Sequence, residues 1–285
     1  MIKKLVSRFV PETIRSARRV RQEPKDLRKV PTIPCEATAL LPYEAVNTDE
    51  LFAVDALAED WADDKAKILA QGFTSGVGGV NEGDRRAIYY LIRHFKPKRV
   101  LEVGTHIGAS TVHITTALRR NHESEQQEIP QLTTVDISDV NDEVAQPWLQ
   151  YGAKQSPRSS VAKMGLASYV QFVTDSSLEY LAEAPHTFDF IFLDGDHAAP
   201  TVYQEVPLAL RALSADGVIL LHDYYPDAQP LWSNNVIHPG PFMACQRLQE
   251  EGARLKVLPL GRLPWSTKLG TNTTSLALLL RDGER

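Results

Sequence analysis

The apolar residues of this chain change their period along its length. Between residues 49 and 71, Leu51, Val54, Leu57, Trp61 and Ile68 recur at roughly helical spacing, and residues 84–95 carry a second amphipathic pattern. Such stripes predict helices laid on a core, because 3.6 residues close one turn. Beyond Lys98, short apolar runs alternate with longer amphipathic stretches. The runs at 99–104, 132–137, 170–174, 188–193 and 217–222 predict strands, and the stretches 107–120, 142–150, 159–167, 176–184, 200–213 and 241–252 predict helices. This alternation predicts an α/β fold with a doubly wound, mostly parallel sheet covered on both faces. Two last strand patterns, 254–259 and 275–281, have no helical stretch between them and are expected to pair antiparallel. A plain dinucleotide-binding fold would have kept alternating.

Proline and glycine divide the remainder. Pro24, Pro31 and Pro34 predict an extended connector over 22–48, and TSGVGGVNEGD (74–84) reads as a glycine-rich loop. The expected organisation is an N-terminal basic arm and helical extension, residues 1–73, followed by one α/β domain, residues 74–285. Composition adds little: 43% hydrophobic and 24% charged residues suit a globular enzyme with a full core. Charge adds more. Residues 1–30 hold ten Lys/Arg against three acids, although the whole chain carries −5. A basic arm can touch nucleic acid or anionic lipid, but this one lacks aromatics for base stacking, and the acidic body argues against nucleic acid as main substrate. The plainer expectation is a solvated helix packed on a partner subunit, in a dimer or larger homo-oligomer. No apolar run approaches 18 residues, so no membrane span is expected. MIKKLVSRFV does not read as a secretory signal, and Cys35 and Cys245 make neither a disulfide framework nor a metal-binding pair. A cytoplasmic location is expected.

The chemistry gathers where strands end. RVLEVGTHIGAST (99–111) runs strand, turn, helix, with Gly104 at the turn, Gly108 at the helix start, and Ser110 and Thr111 beside free helix N–H groups. Its E-x-G-x-x-x-G spacing is not that of a pyrophosphate cradle, and Glu102 favours a ligand with an amino group or a positive charge. Asp136 ends the second strand, where a carboxylate can accept both hydroxyls of a ribose. Asp175 and Ser176 end the third, where an amide and a short polar side chain can read an adenine edge. The fourth run, FDFIFL, ends in Asp194-Gly195-Asp196-His197, and the fifth in His222-Asp223. Carboxylates there suit magnesium or calcium, and the imidazoles widen the choice to manganese, iron or zinc.

The motifs VLEVGTHIGAST, VDIS, VTDSS, FDFIFLDGDH and LSADGVILLHDYY resemble, in order, those of class I S-adenosylmethionine-dependent methyltransferases. The resemblance spans about residues 75–281 and is nearest to small-molecule O-methyltransferases of the catechol and macrolide- or aminocoumarin-sugar types. It implies a seven-stranded sheet with a reversed last strand and makes 74–285 a methyltransferase domain. It implies S-adenosylmethionine as cofactor: Glu102, Gly104, Gly108 and Ser110 at the methionine end, the backbone around Val80 over the carboxylate, Asp136 on the ribose, Asp175 and Ser176 on the adenine, and Asp194 near the methyl group. It also implies a divalent metal, magnesium first, at Asp194, His222 and Asp223. The His-Asp pair departs from the Asp-Asn of catechol-type enzymes, and His197 stands where those enzymes carry a catalytic lysine.

The reading that follows is metal-assisted O-methylation of a hydroxylated small molecule, a sugar or phenol of natural product biosynthesis, with His197 or Asp196 taking the proton. Two others stay open: a metal-independent O- or N-methyltransferase using His197 or His222 as base, and a non-catalytic cofactor-binding module recruited through the basic arm. Tyr224, Tyr225, Trp232, His238 and Phe242 are candidates for the acceptor wall. His106 can face the site, while His113 reads as a surface or core residue.

Overall fold

A computed structural model of the chain describes residues 11–52, 54–74, 76–125 and 128–283. Most of the basic arm's first stretch, residues 1–10, and the side chain of Val54 lie outside the described residues.

Seven strands form one sheet: β1 (Arg99–Val103), β2 (Gln131–Asp136), β3 (Val170–Thr174), β4 (Phe188–Leu193), β5 (Leu213–Leu221), β6 (Leu255–Pro259) and β7 (Ala277–Arg281). Their order is β3-β2-β1-β4-β5-β7-β6. The first five are parallel, and β7 runs antiparallel between β5 and β6, so the final hairpin pairs as its unbroken apolar runs predict. In β4, Phe188 and Phe190 to Leu193 are buried on both faces, which is why this strand reads as a continuous apolar run.

The helices are α1 (Glu12–Leu27), α2 (Thr48–Leu51), α3 (Val54–Ala70), α4 (Glu82–Phe95), α5 (Ala109–Glu125), α6 (Pro157–Lys163), α7 (Ser177–Ala182), α8 (Ala199–Ala212) and α9 (Gly240–Glu250). One core packs α3, α4 and α5 on a sheet face through Trp61, Ile88, Tyr89, Val112 and Phe190. The other packs α8 and α9 on the opposite face through Ile191, Val202, Val206, Ala244 and Leu279. A buried ion cluster ties α3 to its neighbours: Asp64 accepts from Tyr89 Oη at 2.8 Å, Arg119 Nη2 at 3.0 Å and Arg120 Nε at 2.9 Å.

Three expectations fail for local reasons. Residues 142–150 are not an α-helix; a 3₁₀ turn covers Pro147–Tyr151. Asp142 Oδ1 accepts from the Val144 and Ala145 amides, Gln146 takes a left-handed φ of 46°, and Pro147 has no N–H to continue a ladder. The stretch 49–71 is two helices, parted after Leu51. Pro24 does not open a connector: it lies inside α1, which runs on to Leu27 despite the hydrogen bond that the proline removes. That helix packs on this chain's own body, with Ser16, Glu23 and Leu27 buried. The segment after it is held down as well: Leu40 bridges to Gly217 and Pro42 to Arg281.

Candidate active site

Parallel pairing brings the strand ends level. Val103 is in register with both Val135 and Leu193, and Leu193 with Leu221, so the loops after β1, β2, β4 and β5 open on one rim. Strand order reverses between β1 and β4, which leaves a crevice outside their carboxyl ends. A cavity of about 640 Å³ fills it. Its wall includes Val80, Gly104, Ser110, Asp136, Asp175 and Ser176 at one end and Asp194, Asp196, His197, His222 and Asp223 at the other. Residues from six separate segments thus share one cavity.

At the first loop, Gly104 has φ +96°, and a Cβ there would lie 2.3 Å from the Asp194 carbonyl oxygen. Only glycine lets the ends of β1 and β4 approach so closely. Gly108, at φ +78°, gives close passage to Pro157 of α6 rather than to the cavity, since a Cβ would meet Pro157 Cβ at 2.8 Å. Glu102 does not reach the wall. It is fully buried behind the loop, where Oε2 accepts from Thr111 Oγ1 at 2.5 Å and Thr134 Oγ1 at 2.6 Å. Burial pushes its carboxyl up to about 7 against those hydroxyl donors. Asp136 accepts the His106 amide at 2.9 Å and the Ser138 amide at 3.0 Å, which fixes its carboxylate at the rim. His106 lines the cavity against Tyr151, ring centroids 4.1 Å apart, whereas His113 is a core residue bonded to Ala109.

The other end is a dense group of acids and imidazoles. His222 is only 6% exposed, with Nδ1 2.9 Å from Asp194 Oδ1 and 3.6 Å from Asp223 Oδ1, and Nε2 3.6 Å from Asp84 Oδ2. His197 Nε2 lies 3.8 Å from Asp194 Oδ1 and 3.4 Å from Asp223 Oδ2, and His238 Nε2 lies 3.8 Å from that same Asp223 oxygen. Burial alone would strip the proton from His222, but the carboxylates of Asp194 and Asp223, with Asp84 behind, outweigh it and hold its pKa well above the ordinary histidine value. Burial likewise opposes charge on Asp223, yet His222, His197, His238 and Lys268 pull it below the usual carboxylate range. Burial drives His238 down to about 4. Asp223 sits at φ 53°, a left-handed strain of the kind found at functional positions.

Five candidates named from the sequence make other contacts. Asp196 spends its carboxylate on the start of α8, accepting from the Ala198 amide at 3.1 Å and Thr201 Oγ1 at 2.7 Å. Phe242 packs on Tyr224 near the core, and Trp232 and Tyr225 form a small separate apolar cluster with Ile237. Asp84, fully buried at the start of α4, had no signal beyond its place in the glycine-rich loop; its Asn81-x-x-Asp84 spacing reads as a helix cap and also serves as one, since Asn81 Oδ1 accepts the Asp84 amide. Nor did the sequence reveal that α1 pins both site loops. Glu23 Oε2 accepts the Ala199 amide, two residues past His197, and Ser16 Oγ accepts the Ile237 amide at 2.9 Å, one residue before His238.

The comparisons agree with this geometry. Residues 101–224 match the family model described as a methyltransferase domain. The O-methyltransferase hkm8 of Aspergillus hancockii is 26% identical over 128 residues, which make up 45% of this chain and 43% of that protein, so the match spans less than half of the relative's length. Among solved structures, an O-methyltransferase from Bacillus cereus in complex with S-adenosylhomocysteine aligns with a TM-score of 0.52 at 17% identity, over 84% of this chain and 99% of that one. TomG from Streptomyces achromogenes, an O-methyltransferase involved in tomaymycin synthesis and solved with S-adenosylmethionine, aligns at 0.51 and 17%, over 86% and 100%. Residues 101–224 match a methyltransferase domain, the fold is shared with solved O-methyltransferases, and the likeness to the small-molecule O-methyltransferases, first read from strand-end motifs, is borne out. No helix among the described residues is long and apolar enough to cross a membrane.

Proposed function

We propose that this chain transfers the methyl group of S-adenosylmethionine to a hydroxyl oxygen of a small molecule, with a divalent cation held among the acids and imidazoles of the site. What carries the reading is the single cavity whose wall runs from Asp136 and Asp175, through Gly104 and Ser110, to Asp194, His197, His222 and Asp223. A binding module would have no use for that last group. When bound, the cofactor supplies a methyl group on a positively charged sulfur, and a cation held among Asp194, His197, His222 and Asp223 would lower the pKa of an acceptor hydroxyl.

The residues divide the remaining work. Asp136 accepts the ribose hydroxyls on lone pairs left free by the His106 and Ser138 amides. Asp175 and Ser176 border the adenine, and Val80, Gly104 and Ser110 enclose the methionine end. Glu102 acts from behind the loop by fixing Thr111 and Thr134. With a cation on one ring nitrogen and Asp84 facing the other at 3.6 Å, His222 has none free to serve as the base. The acceptor's proton has two imidazole destinations near the cation site, His197 on the cavity wall and His238 beside it, whose rings are 5.2 Å apart. A cation is supported by the donor atoms themselves: Asp194, His197 and His222 each offer one within 4.8 Å of the others, and neither nitrogen of buried His222 has an aligned hydrogen-bond partner among the described residues. The O-methyltransferase name of hkm8 and the part of TomG in tomaymycin synthesis support a hydroxyl acceptor on a small molecule.

The test is calorimetric binding of S-adenosylhomocysteine, paired with transfer of labelled methyl from S-adenosylmethionine to a panel of sugars and phenols. Asp136→Ala should lose cofactor affinity, and Asp194→Asn should lose turnover with affinity retained. Absence of cofactor binding by the unmodified chain would refute the reading.

A further inference from the structure

The imidazoles in this site narrow which metal it suits. His222 is 94% buried by its 6% exposure, carries two ring nitrogens without aligned hydrogen bonds, and sits among three acids. A buried nitrogen in that condition requires a partner. The three donors that converge are Asp194, His197 and His222, with His197 where family resemblance alone would have put Asp223. Asp223 instead lies at the margin, between His197 and His238, and its Oδ1 accepts from Ser275 Oγ at 3.4 Å. Behind His222, Asp84 Oδ2 faces Nε2 at 3.6 Å. A carboxylate backing one nitrogen of an imidazole is the usual way a metal-binding histidine has its ring orientation fixed, which leaves Nδ1 for the ion.

Resting on the cofactor reading above, we infer that Asp194, His197 and His222 form a site for a first-row transition-metal dication such as manganese, iron or zinc, in preference to magnesium or calcium. Two nitrogen donors and one oxygen match those metals, whereas magnesium and calcium take oxygen. Three protein donors leave coordination positions for acceptor oxygens. Asp84, Asp194 and Asp223 together supply negative charge that a dication neutralises within a largely buried site. With His197 engaged, His238 is the imidazole left for the acceptor's proton. Asp84 is a positioning residue, acting only through His222.

The experiment uses the full chain, stripped with chelator and saturated with S-adenosylhomocysteine. Calorimetry compares Mn²⁺ with Mg²⁺, and pulsed electron paramagnetic resonance of bound Mn²⁺ reads nitrogen couplings in ¹⁴N- and ¹⁵N-histidine-labelled protein, which needs no mutation. Mn²⁺ should bind at least about tenfold tighter than Mg²⁺ and show imidazole couplings that change with the isotope. In His197→Gln, part of the coupling should disappear and Mn²⁺ affinity should fall at least about tenfold, with S-adenosylhomocysteine affinity held within about twofold. Asp84→Asn should weaken Mn²⁺ by roughly tenfold or more while the couplings persist in altered form. Equal or tighter Mg²⁺ binding, bound Mn²⁺ without histidine couplings, or no divalent-ion binding in protein that does bind S-adenosylhomocysteine would each overturn the inference. Mn²⁺ held by imidazoles in protein that does not bind S-adenosylhomocysteine would support the metal site and sink the cofactor reading instead.

Discussion

Gly240→Ala tests whether the packing of two distant loops sets the position of His197. Gly240 opens α9 against the loop after β4, and a Cβ there would stand 2.0 Å from the His197 carbonyl oxygen and 2.6 Å from the Ala199 nitrogen. Ordinary contact begins near 3.4 Å, so the two backbones must part by about 1.4 Å. The Ala199 amide cannot simply yield, because Glu23 of α1 holds it. Overpacking of this kind costs about 1–3 kcal/mol, and a chain of this size loses roughly 2–4 °C of Tm per kcal/mol. A reacting group displaced by about 1 Å forfeits on the order of a hundredfold in rate. Methyl transfer should therefore fall about a hundredfold, measured in single turnovers at saturating acceptor. Affinity for S-adenosylhomocysteine should stay within about threefold, since Gly104, Asp136 and Asp175 lie on other loops. Thermal melting is run on the same samples. A variant with unchanged Tm and turnover would show that α9 slides freely at its first turn and would refute the argument.

Other outcomes follow from the same contacts. Asp64→Ala should destabilise the fold by about 3–5 kcal/mol in urea titrations, because it removes the fully buried carboxylate that Tyr89, Arg119 and Arg120 share; a loss below about 1 kcal/mol would count against a structural role for the cluster. Asp136→Ala removes an acceptor of charge-assisted hydrogen bonds and should weaken S-adenosylhomocysteine by roughly 1.5–3 kcal/mol, read by calorimetry. Burial pushes the carboxyl of Glu205 up to about 7. The folded chain therefore keeps a proton that the unfolded chain releases near 4.5, so this contribution is full below pH 4.5 and lost as pH rises through 7. Glu205→Gln should gain stability relative to the parent chain between pH 5 and 8, by up to about 3 kcal/mol; a difference that is flat with pH would refute the burial argument. Glu23→Gln keeps the shape but weakens the hold on the Ala199 amide, and amide exchange should quicken in residues 197–201 without doing so in α5.

The sequence by itself determined the order of strands and helices, the antiparallel final hairpin, and which strand ends carry acids and imidazoles. It could do so because a strand buried on both faces must be apolar throughout, as FDFIFL is, and must then give way abruptly to polar residues at the rim. Failure came where a side chain competes with the backbone, as Asp142 does over 144–145, or where a proline is carried inside a helix, as Pro24 is. Only the tertiary structure decided which of the named residues meet. Parallel register levels the ends of β1, β2, β4 and β5, and that brings residues as far apart as Val80 and Asp223 to one cavity. Asp84 reads locally as part of a helix start, Ser16 as part of a basic arm and Glu23 as part of a connector. Their roles arise from contacts across 138 to 221 positions of chain, as between Asp84 and His222 or Ser16 and Ile237, and no local periodicity encodes a contact at that range.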